Sequence, residues 1–259
     1  MTFGFALQTM IAERPTFRQI AKGIQLREQQ LEMSRLSESA RTKQGSKAAS
    51  GIERSVSQQT RAKVLEVARA EFAAKGLAGA RIDEIAAKAN INKQAIYYHF
   101  GNKEDLFTAT IELCYAGILK QHEAYAQGAT IKPPKLALQR VIEHMFDRIA
   151  RRPEVVVLIM DENRYNGRHL KNKKLISSSD DPMVDHIRSI LKEGEATGEF
   201  VTGIDPEQLF LDIISLCIFY FSNIYTLSAV MDRDLSTPAA ARERRKHIIR
   251  QLLAAVEAR

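Results

Sequence analysis

The sequence predicts an all-α protein, and three observations favour this fold class. Apolar residues recur three and four positions apart along most of the chain, which is the spacing that lines one face of a helix. Asn, Asp and Thr stand directly before several of these segments, where their side chains cap helices, and Pro follows them twice. With 259 residues and 45% hydrophobic content, the chain can bury a sizeable core in one or two domains.

Residues 91–103 contain the most informative of these helices. Asn92 can accept a hydrogen bond from the free amides of the following turn, so it predicts the start of a short helix. Ile96 and Phe100 are four residues apart and share one apolar face. The opposite face carries side chains that donate hydrogen bonds, namely Lys93, Gln94, Tyr97 and Tyr98.

Two neighbouring tyrosines on a polar helix face are unusual, because tyrosine usually buries its ring. They suit a helix that meets DNA, since phenol hydroxyls and an ammonium group bind phosphate oxygens and a glutamine amide pairs with an adenine edge. The alternative interpretation is a plain amphipathic helix whose tyrosines pack sideways.

The residues before this helix favour the DNA interpretation. Ile82, Ile85, Ala86 and Ala89 give an apolar stripe to a preceding helix. Asn90 follows, and asparagine tolerates the left-handed conformation that a chain leaving a helix often needs. A helix, a tight turn and a second helix form a helix-turn-helix.

Residues 60–106 resemble the amino-terminal motif of the TetR family of transcriptional regulators. That motif has an apolar first helix and a Gly, followed by I-A-x-x-A-G-V-S-x-x-x-x-Y-x-H-F-x-x-K-x-x-L. The corresponding positions of this chain are Phe72, Gly76, Ile85, Ala86, Ala89, Asn90, Ile91, Asn92, Tyr97, Tyr98, His99, Phe100, Lys103 and Leu106. The resemblance implies a helix-turn-helix head, a larger helical body that binds a ligand, and a dimer.

The resemblance also implies which residues contact DNA. Three are implied near the bases, namely Lys93, Gln94 and Ala95. Four are implied at phosphates, namely Tyr97, Tyr98, His99 and Lys103. Where the family usually has Gly and Ser in the turn, this chain has Asn90 and Asn92, which serve the same backbone roles. Where the family usually has Thr before the second helix, this chain has Arg81, which loses a cap but can itself reach a phosphate.

The charge distribution separates an amino-terminal extension from the head. Of the net charge of +7, residues 1–59 supply 9 basic and 5 acidic side chains, and residues 60–125 supply 9 and 8. The head is nearly neutral, so attraction to DNA must come from the placement of its cations, Arg61 included. Residues 1–57 are expected to form a basic, partly disordered extension, with a helix at 15–36 and a linker at 37–57. This extension is either a basic arm that adds DNA affinity or a poorly ordered tail.

The remaining pattern predicts a head of residues 58–106 and a helical body of residues 107–259. The first head helix is expected at 60–75, with Gly76 as its stop, and body helices at about 103–126, 134–150, 154–165, 183–197, 207–231 and after Thr237. Residues 155–160 are apolar on all sides, which indicates a central helix. Residues 207–231 are also apolar enough for a membrane span, but Asp212, Ser215, Ser222 and Asn223 interrupt them, which favours a core helix.

The resemblance implies a pocket in this body and a homodimer interface through its last two helices. Candidates for the apolar lining are Met145, Phe146, Met160, Phe210, Phe219 and Tyr220. Candidates for polar anchors are Glu162, Asn163, Tyr165 and His144. For each of them, ordinary core packing or surface exposure is the competing interpretation. Residues 162–170 are also similar to an E-x-x-x-x-G-x-H-L segment in TetR relatives that regulate pyrimidine utilisation.

Together these expectations describe a cytoplasmic, dimeric regulator, most simply a repressor that leaves a palindromic operator when a small molecule binds. An activator and a helical adaptor that does not bind DNA are the alternatives. The sequence contains no Gly-rich phosphate loop, nucleophile elbow or paired metal ligands, so neither enzymatic activity nor a cofactor is expected. Cys114 and Cys217 are too few for a disulfide framework and are expected to be buried. No signal peptide is visible.

Overall fold

The structure is a computed structural model that describes residues 47–171 and 181–258. Within these residues it contains ten helices and, apart from one bridge between Phe200 and Glu257, no β-structure. The head contains α1 (Lys47–Gly79), α2 (Ile82–Ala89) and α3 (Lys93–Phe100). The body contains α4 (Lys103–Gly128), α5 (Pro134–Arg151), α6 (Pro153–Arg164), α7 (Pro182–Thr197), α8 (Pro206–Ser222), α9 (Ile224–Val230) and α10 (Pro238–Val256). The all-α prediction is confirmed.

Helix α1 is longer than the sequence predicts. It begins at Lys47, so residues 47–57, which composition assigned to a flexible linker, are helical. This stretch contains no Pro, and five of its eleven residues are good helix formers, namely Lys47, Ala48, Ala49, Glu53 and Arg54. Its low apolar content therefore did not prevent a helix. The predicted helix at 15–36 and the rest of the basic extension lie outside the described residues.

Gly76 interrupts α1, which agrees with the prediction that the first straight helix stops there. Its backbone angles, φ 67° and ψ 173°, lie in a region open essentially to glycine alone. An added Cβ at this position would lie 3.2 Å from Oδ2 of Asp161 in α6. The helix continues to Gly79 in a new direction, which brings its last turn against the body.

Side-chain caps fix several of the helix starts that the sequence predicts. Asn102, Asp205 and Thr237 each accept a hydrogen bond from a backbone amide two or three residues later, at 2.8, 2.8 and 3.2 Å. These bonds satisfy amides that the helix itself leaves free. Both cysteines are buried and free, as predicted.

Helix α6 is buried on one face only, contrary to the prediction of a central helix. Val156 and Leu158 are buried, whereas Val157 is 46% exposed and Met160 is also exposed. The apolar run shows that the helix can be buried, but its neighbours decide which sides are covered. Here α8 packs against one side of α6, and α4 and α5 make smaller contacts.

The long apolar helix predicted at 207–231 is broken in two. Helices α8 and α9 meet at Asn223 and are bent by 70° relative to each other. The side-chain amide of Asn223 donates to the Phe219 carbonyl at 3.0 Å, so a side chain takes part in closing the end of α8. In the described part of the chain, no single helix is long and apolar enough to cross a membrane, and only this bent pair passes such a test on length and composition.

Two apolar cores organise the molecule. The body core lies where α5 meets α7, α8 and α10, and it includes Leu138, Ile142, Met145, Ile187, Ile213 and Ile248. The head core includes Phe72, Ile85, Ile96 and Phe107, and it also takes in Leu158 of α6. The rings of Phe72 and Phe107 meet edge to face, with centroids 5.1 Å apart. Leu158 lies in a helix of the body but packs in the head core, so the body covers one side of that core.

Two adjacent carboxylates at the end of α6 form the joint between head and body. Asp161 accepts a hydrogen bond from the Leu77 amide at 2.6 Å, just after the kink in α1. Glu162 accepts one from the His169 amide at 2.9 Å and also contacts the His169 ring nitrogen. The Glu162 and His169 of the E-x-x-x-x-G-x-H-L segment are therefore bonded to each other. The ring of His169 packs edge to face against Phe107 of α4, at 5.2 Å.

Candidate nucleic-acid interface

A left-handed asparagine and an asparagine cap set the angle between α2 and α3. Asn90 has φ 52° and ψ 52°, and its amide donates to the Ala87 carbonyl at 3.1 Å. Oδ1 of Asn92 accepts a hydrogen bond from the Ala95 amide at 2.7 Å. Both residues therefore perform the backbone roles that the sequence predicts for them.

The two faces of α3 separate as predicted. Ile96 and Phe100 are buried in the head core. Tyr98 is 86% exposed, Tyr97 is 42% exposed, and Gln94 is exposed beside them. Neither tyrosine ring is therefore buried in the head core. Two of the other residues implied at DNA are half-buried on the same helix: Ala95 and His99.

The ammonium group of Lys93 is held by Asp83 of α2, with Nζ 2.8 Å from Oδ1. The hydrogen bond to Asp83 raises the pKa of Lys93, and the same bond lowers the pKa of the Asp83 carboxyl. The Lys93 ammonium also lies 5.9 Å from the centre of the Tyr97 ring. Both ends of this ion pair are exposed, so it contributes little to stability. It does hold a cation in place on the outer face of the helix-turn-helix.

Asp83 was not recognised from the sequence. An acidic residue in the first turn of a helix is ordinarily explained by the helix dipole. Only the tight turn at Asn90, which folds α3 back toward the start of α2, brings Asp83 to Lys93.

Two further cations differ in their surroundings. Arg81 is exposed and provides no side-chain cap for α2, as predicted. Lys103 is half-buried and donates hydrogen bonds to the carbonyls of Ala78 and Ala80, at 3.2 and 3.4 Å. Lys103 therefore connects the start of α4 to the α1–α2 turn, a role that the resemblance did not imply.

Comparison with known proteins identifies this arrangement. Residues 64–110 match the family described as bacterial regulatory proteins, tetR family, and residues 134–251 match the tetracyclin repressor-like C-terminal domain. The HTH-type transcriptional repressor NicS of Pseudomonas putida is 33% identical over 190 residues, which cover 73% of this chain and 89% of NicS. The chain belongs to the TetR family. It is thus a transcriptional regulator whose helix-turn-helix head binds DNA.

Another relative matches over a shorter part of the chain. The HTH-type transcriptional repressor SCO4008 of Streptomyces coelicolor is 38% identical over 108 residues, which cover 42% of this chain and 52% of that protein. Two solved structures share the fold. The transcriptional regulator SCO4942 of Streptomyces coelicolor has a TM-score of 0.55 at 23% identity, covering 76% of this chain and 98% of its own. The ketosteroid regulator KstR2 of Mycobacterium tuberculosis has a TM-score of 0.55 at 19% identity, covering 77% and 95%.

The residues predicted to line a ligand pocket lie in several places in this TetR-family body. Four belong to the body core, namely Met145, Phe146, Phe210 and Tyr220. Met160 and Asn163 are exposed on α6, and Asn163 donates to the Ile159 carbonyl at 3.1 Å. Glu162 and Tyr165 lie at the joint, where both contact His169. The residue types suit a ligand pocket, but a residue type carries no information about the distances between helices.

The described part of the body includes two sizeable surface cavities. One, of about 500 Å³, lies between α5 and α10, and the other, of about 480 Å³, lies between α8, α9 and α10. Of the predicted pocket residues, Phe219 and Tyr220 line the second cavity and none lines the first. The second cavity is rich in cations, contributed by Arg233, Arg244, Lys246 and Arg250.

A group of aromatic side chains inside the body was not predicted as a unit. Tyr125 of α4 stacks against His144 of α5, with ring centroids 4.2 Å apart, and meets His186 of α7 edge-on at 5.8 Å. His122 of α4 is buried and meets Phe210 edge-on at 6.0 Å. Three histidines on three helices share no sequence spacing, so only the fold reveals them. Among the described residues, no group of three His, Cys, Asp or Glu side chains is placed to hold a metal ion.

Proposed function

We propose that this TetR-family regulator is a ligand-responsive repressor that binds a palindromic operator as a homodimer and is released by a small molecule. The observation that supports it best is α3, a capped helix that buries Ile96 and Phe100 and exposes Gln94, Tyr97 and Tyr98. A helix of this kind fits the major groove, where base edges are readable. Two relatives are named repressors, which favours this sign of regulation over an activator.

The proposed DNA contacts divide into two classes. Contacts to bases are assigned to the first turn of α3, namely Lys93, Gln94 and Ala95. Contacts to phosphates are assigned to Tyr97, Tyr98, His99, Arg81 and Lys103. Phosphate contacts supply affinity and register, whereas base contacts supply discrimination. A lysine ammonium has three donors, so Lys103 retains one for a phosphate after binding the Ala78 and Ala80 carbonyls.

The proposed dimer uses the last two long helices, α8 and α10. Helix α8 exposes Leu211 and Phe219, which are 49% and 56% accessible in the single chain, and large apolar side chains on a surface favour an interface. A two-fold axis through this face gives the dimer two copies of α3, one from each subunit, for the two halves of the operator. Their operator half-sites should be separated by about one turn of DNA, or 10 bp, or by a multiple of it.

We propose that the joint at α6 carries the response from body to head. Asp161 bonds the backbone of the head directly, so a shift of α6 changes the position of the head. A ligand shifts this equilibrium only by its difference in affinity for the two head positions. The proposal places the protein in the cytoplasm with DNA and assigns it no catalytic step.

The test is fluorescence anisotropy with duplexes taken from the intergenic DNA beside the coding sequence. Tyr98→Ala should weaken binding about tenfold on specific and unrelated duplexes alike, because a phosphate contact carries no sequence information. Gln94→Ala should reduce the preference for the specific duplex, because one base contact discriminates by about 1–3 kcal/mol.

The matched control is Tyr225→Ala in α9, because Tyr225 is 83% exposed and lies in the body. This variant should bind DNA as the unchanged protein does. Failure of the unchanged protein to bind any duplex at low ionic strength would refute the proposal. If Tyr98→Ala and Tyr225→Ala lose the same amount of DNA affinity, the result would show that α3 does not contact the DNA.

A further inference from the structure

Most basic side chains of the head are already held by partners within the protein. Carboxylates pair with four of them, namely Arg69, Lys75, Lys88 and Lys93. Lys103 donates to two backbone carbonyls. The pKa of Asp83 is lowered first by Lys93 and then by the charge of Arg81, so Arg81 also lies near an acid. Among the described residues, Arg61 and Lys63 are the head cations that no carboxylate pairs with.

This difference matters because the head is nearly neutral as a whole. A cation that is paired with a carboxylate gives little net attraction for a polyanion, whereas an exposed cation without an acid nearby gives its full charge. Arg61 and Lys63 are both exposed on α1. They are therefore the first candidates for DNA contacts outside the helix-turn-helix.

Arg61 differs from Lys63 in its contact with the reading helix. The guanidinium carbon of Arg61 lies 5.2 Å from the centre of the Phe100 ring in α3. Phe100 is 8% exposed and packs in the head core, so this ring is a fixed platform. A guanidinium at this distance is attracted by the ring, and its N–H groups remain free for a second partner. Arg61 is thus held beside the last turn of α3.

The last turn of α3 is the part of the helix that approaches the DNA backbone. The proposed base contacts lie in the first turn, at Lys93 and Gln94. From Lys93 to Phe100 the helix rises about 10 Å, which is more than half the width of a major groove about 12 Å wide. A helix whose first turn meets base edges therefore ends near the sugar–phosphate wall of the groove. Arg61 lies beside that end.

We propose that Arg61 binds a DNA phosphate and that the Phe100 ring holds the guanidinium in place for this contact. The inference rests on the proposed function, in which α3 enters the major groove, and it adds a contact from α1. The planar guanidinium can donate two parallel hydrogen bonds to phosphate oxygens. Because stacking on Phe100 already restricts the side chain, less conformational freedom is lost when the DNA binds. A phosphate contact supplies affinity and register but no sequence preference.

The experiment is fluorescence anisotropy of the full chain with a specific duplex and an unrelated duplex of equal length, from 50 to 200 mM salt. Arg61→Ala should weaken binding to both duplexes about tenfold at 100 mM salt. It should also reduce the slope of log K against log salt by about 1 for each subunit bound, because one phosphate contact is lost. An unchanged slope would overturn the proposal, since a purely structural role for Arg61 would not alter counterion release.

The matched control is Lys63→Ala. It removes the same charge from an exposed position two residues further along α1, which is on another side of the helix. Its effect on the slope should be less than half that of Arg61→Ala. Equal effects of the two variants would show that only the net charge of α1 matters, and the assignment of a contact to Arg61 would be overturned.

Two further variants test the platform. Arg61→Lys keeps the charge but loses the planar group, so it should preserve the salt slope and still weaken binding severalfold. Phe100→Leu keeps an apolar side chain in the core and removes the ring, and urea unfolding verifies that it is folded. Arg61→Ala should then cost less affinity in the Phe100→Leu background than in the unchanged protein. An equal cost in both backgrounds would show that Phe100 does not position Arg61.

Tyr98→Ala measured beside these variants separates this inference from the proposed function. If Tyr98→Ala weakens DNA binding and Arg61→Ala does not, the Arg61 contact is wrong and the proposed function stands. If the unchanged protein binds no duplex at low ionic strength, the proposed function and the inference both fail.

Discussion

Glu71 in the head and His186 in the body are both buried, but only Glu71 has charged partners on both sides. Oε2 of Glu71 accepts a hydrogen bond from Lys88 at 2.6 Å, and Oε1 forms an ion pair with Lys75 at 2.9 Å without hydrogen-bond alignment. His186 meets an aromatic ring and offers an unbonded nitrogen. In the head, buried polar groups hold helices in fixed positions. In the body, Nε2 of His186 is left unsatisfied by the described residues, although other buried polar groups there, such as Glu162, are bonded.

This difference between Glu71 and His186 matches what DNA binding requires of the head. A helix that reads DNA must keep its orientation, so Glu71 ties α1 to α2 and Asp161 ties α1 to α6. An unsatisfied buried polar atom such as Nε2 of His186 instead costs stability. Four changes test this comparison, in decreasing order of the expected effect.

Gly76→Ala should reduce the free energy of unfolding by about 1–3 kcal/mol, since the backbone there has a conformation that alanine resists. The new Cβ would also press on the Asp161 carboxylate. Urea-induced unfolding measures the change. Gly117→Ala is the control, because Gly117 is helical with nothing within 4 Å of an added Cβ, and it should stabilise α4 by about 0.5–1 kcal/mol. If the Gly76→Ala variant has the same free energy of unfolding as the unchanged protein, the joint between α1 and Asp161 is not rigid.

Glu71→Gln should reduce the free energy of unfolding at pH 7 by about 1–2 kcal/mol. The hydrogen bond from Lys88 and then the ion pair with Lys75 lower the pKa of Glu71 from 4.5 to about 2. The carboxylate therefore stabilises the fold above pH 4.5, and this contribution disappears as the pH falls toward 2. Unfolding curves for both proteins between pH 6 and pH 2 should converge at the acid end. A difference that does not change with pH would show that the charge of Glu71 is unimportant.

His186→Phe should leave the free energy of unfolding within about 1 kcal/mol of its original value, or raise it. Replacing an unsatisfied buried polar group by an apolar group of similar shape is nearly neutral or stabilising. Thermal and urea unfolding in the absence of ligand give the value. A loss as large as that of Glu71→Gln would show that the imidazole is needed for folding, and the contrast between head and body would not hold.

Asp83→Asn should strengthen DNA binding about two- to fivefold at low salt, because it frees Lys93 and removes a negative charge near the phosphates. The preference among sequences should change little, and the gain should shrink as salt is added. Asp185→Asn is the control, since Asp185 pairs with Arg188 on the surface of α7. Weaker binding by Asp83→Asn would mean that the ion pair positions Lys93 for DNA instead of restraining it.

The head was predictable from sequence because its signals are local. Asn90, Asn92 and Asn102 each act on backbone within a few residues, and the four-residue spacing of Ile96 and Phe100 defines one helix face. Lys103 shows the limit of these local signals, because its hydrogen bonds to the Ala78 and Ala80 carbonyls connect residues more than twenty positions apart. The pair of Lys93 and Asp83 likewise needs the turn to be formed first.

The sequence by itself determined the helices, the reading face of α3 and the membership of the TetR family, since caps, helical periodicity and motif spacing are properties of neighbouring residues. Only the tertiary structure decided that α8 and α9 separate at Asn223, that Asp161 bonds the head, and that His144 and His186 meet at Tyr125. These features depend on distances between helices far apart in the chain, and those distances are set by the packing of the whole core.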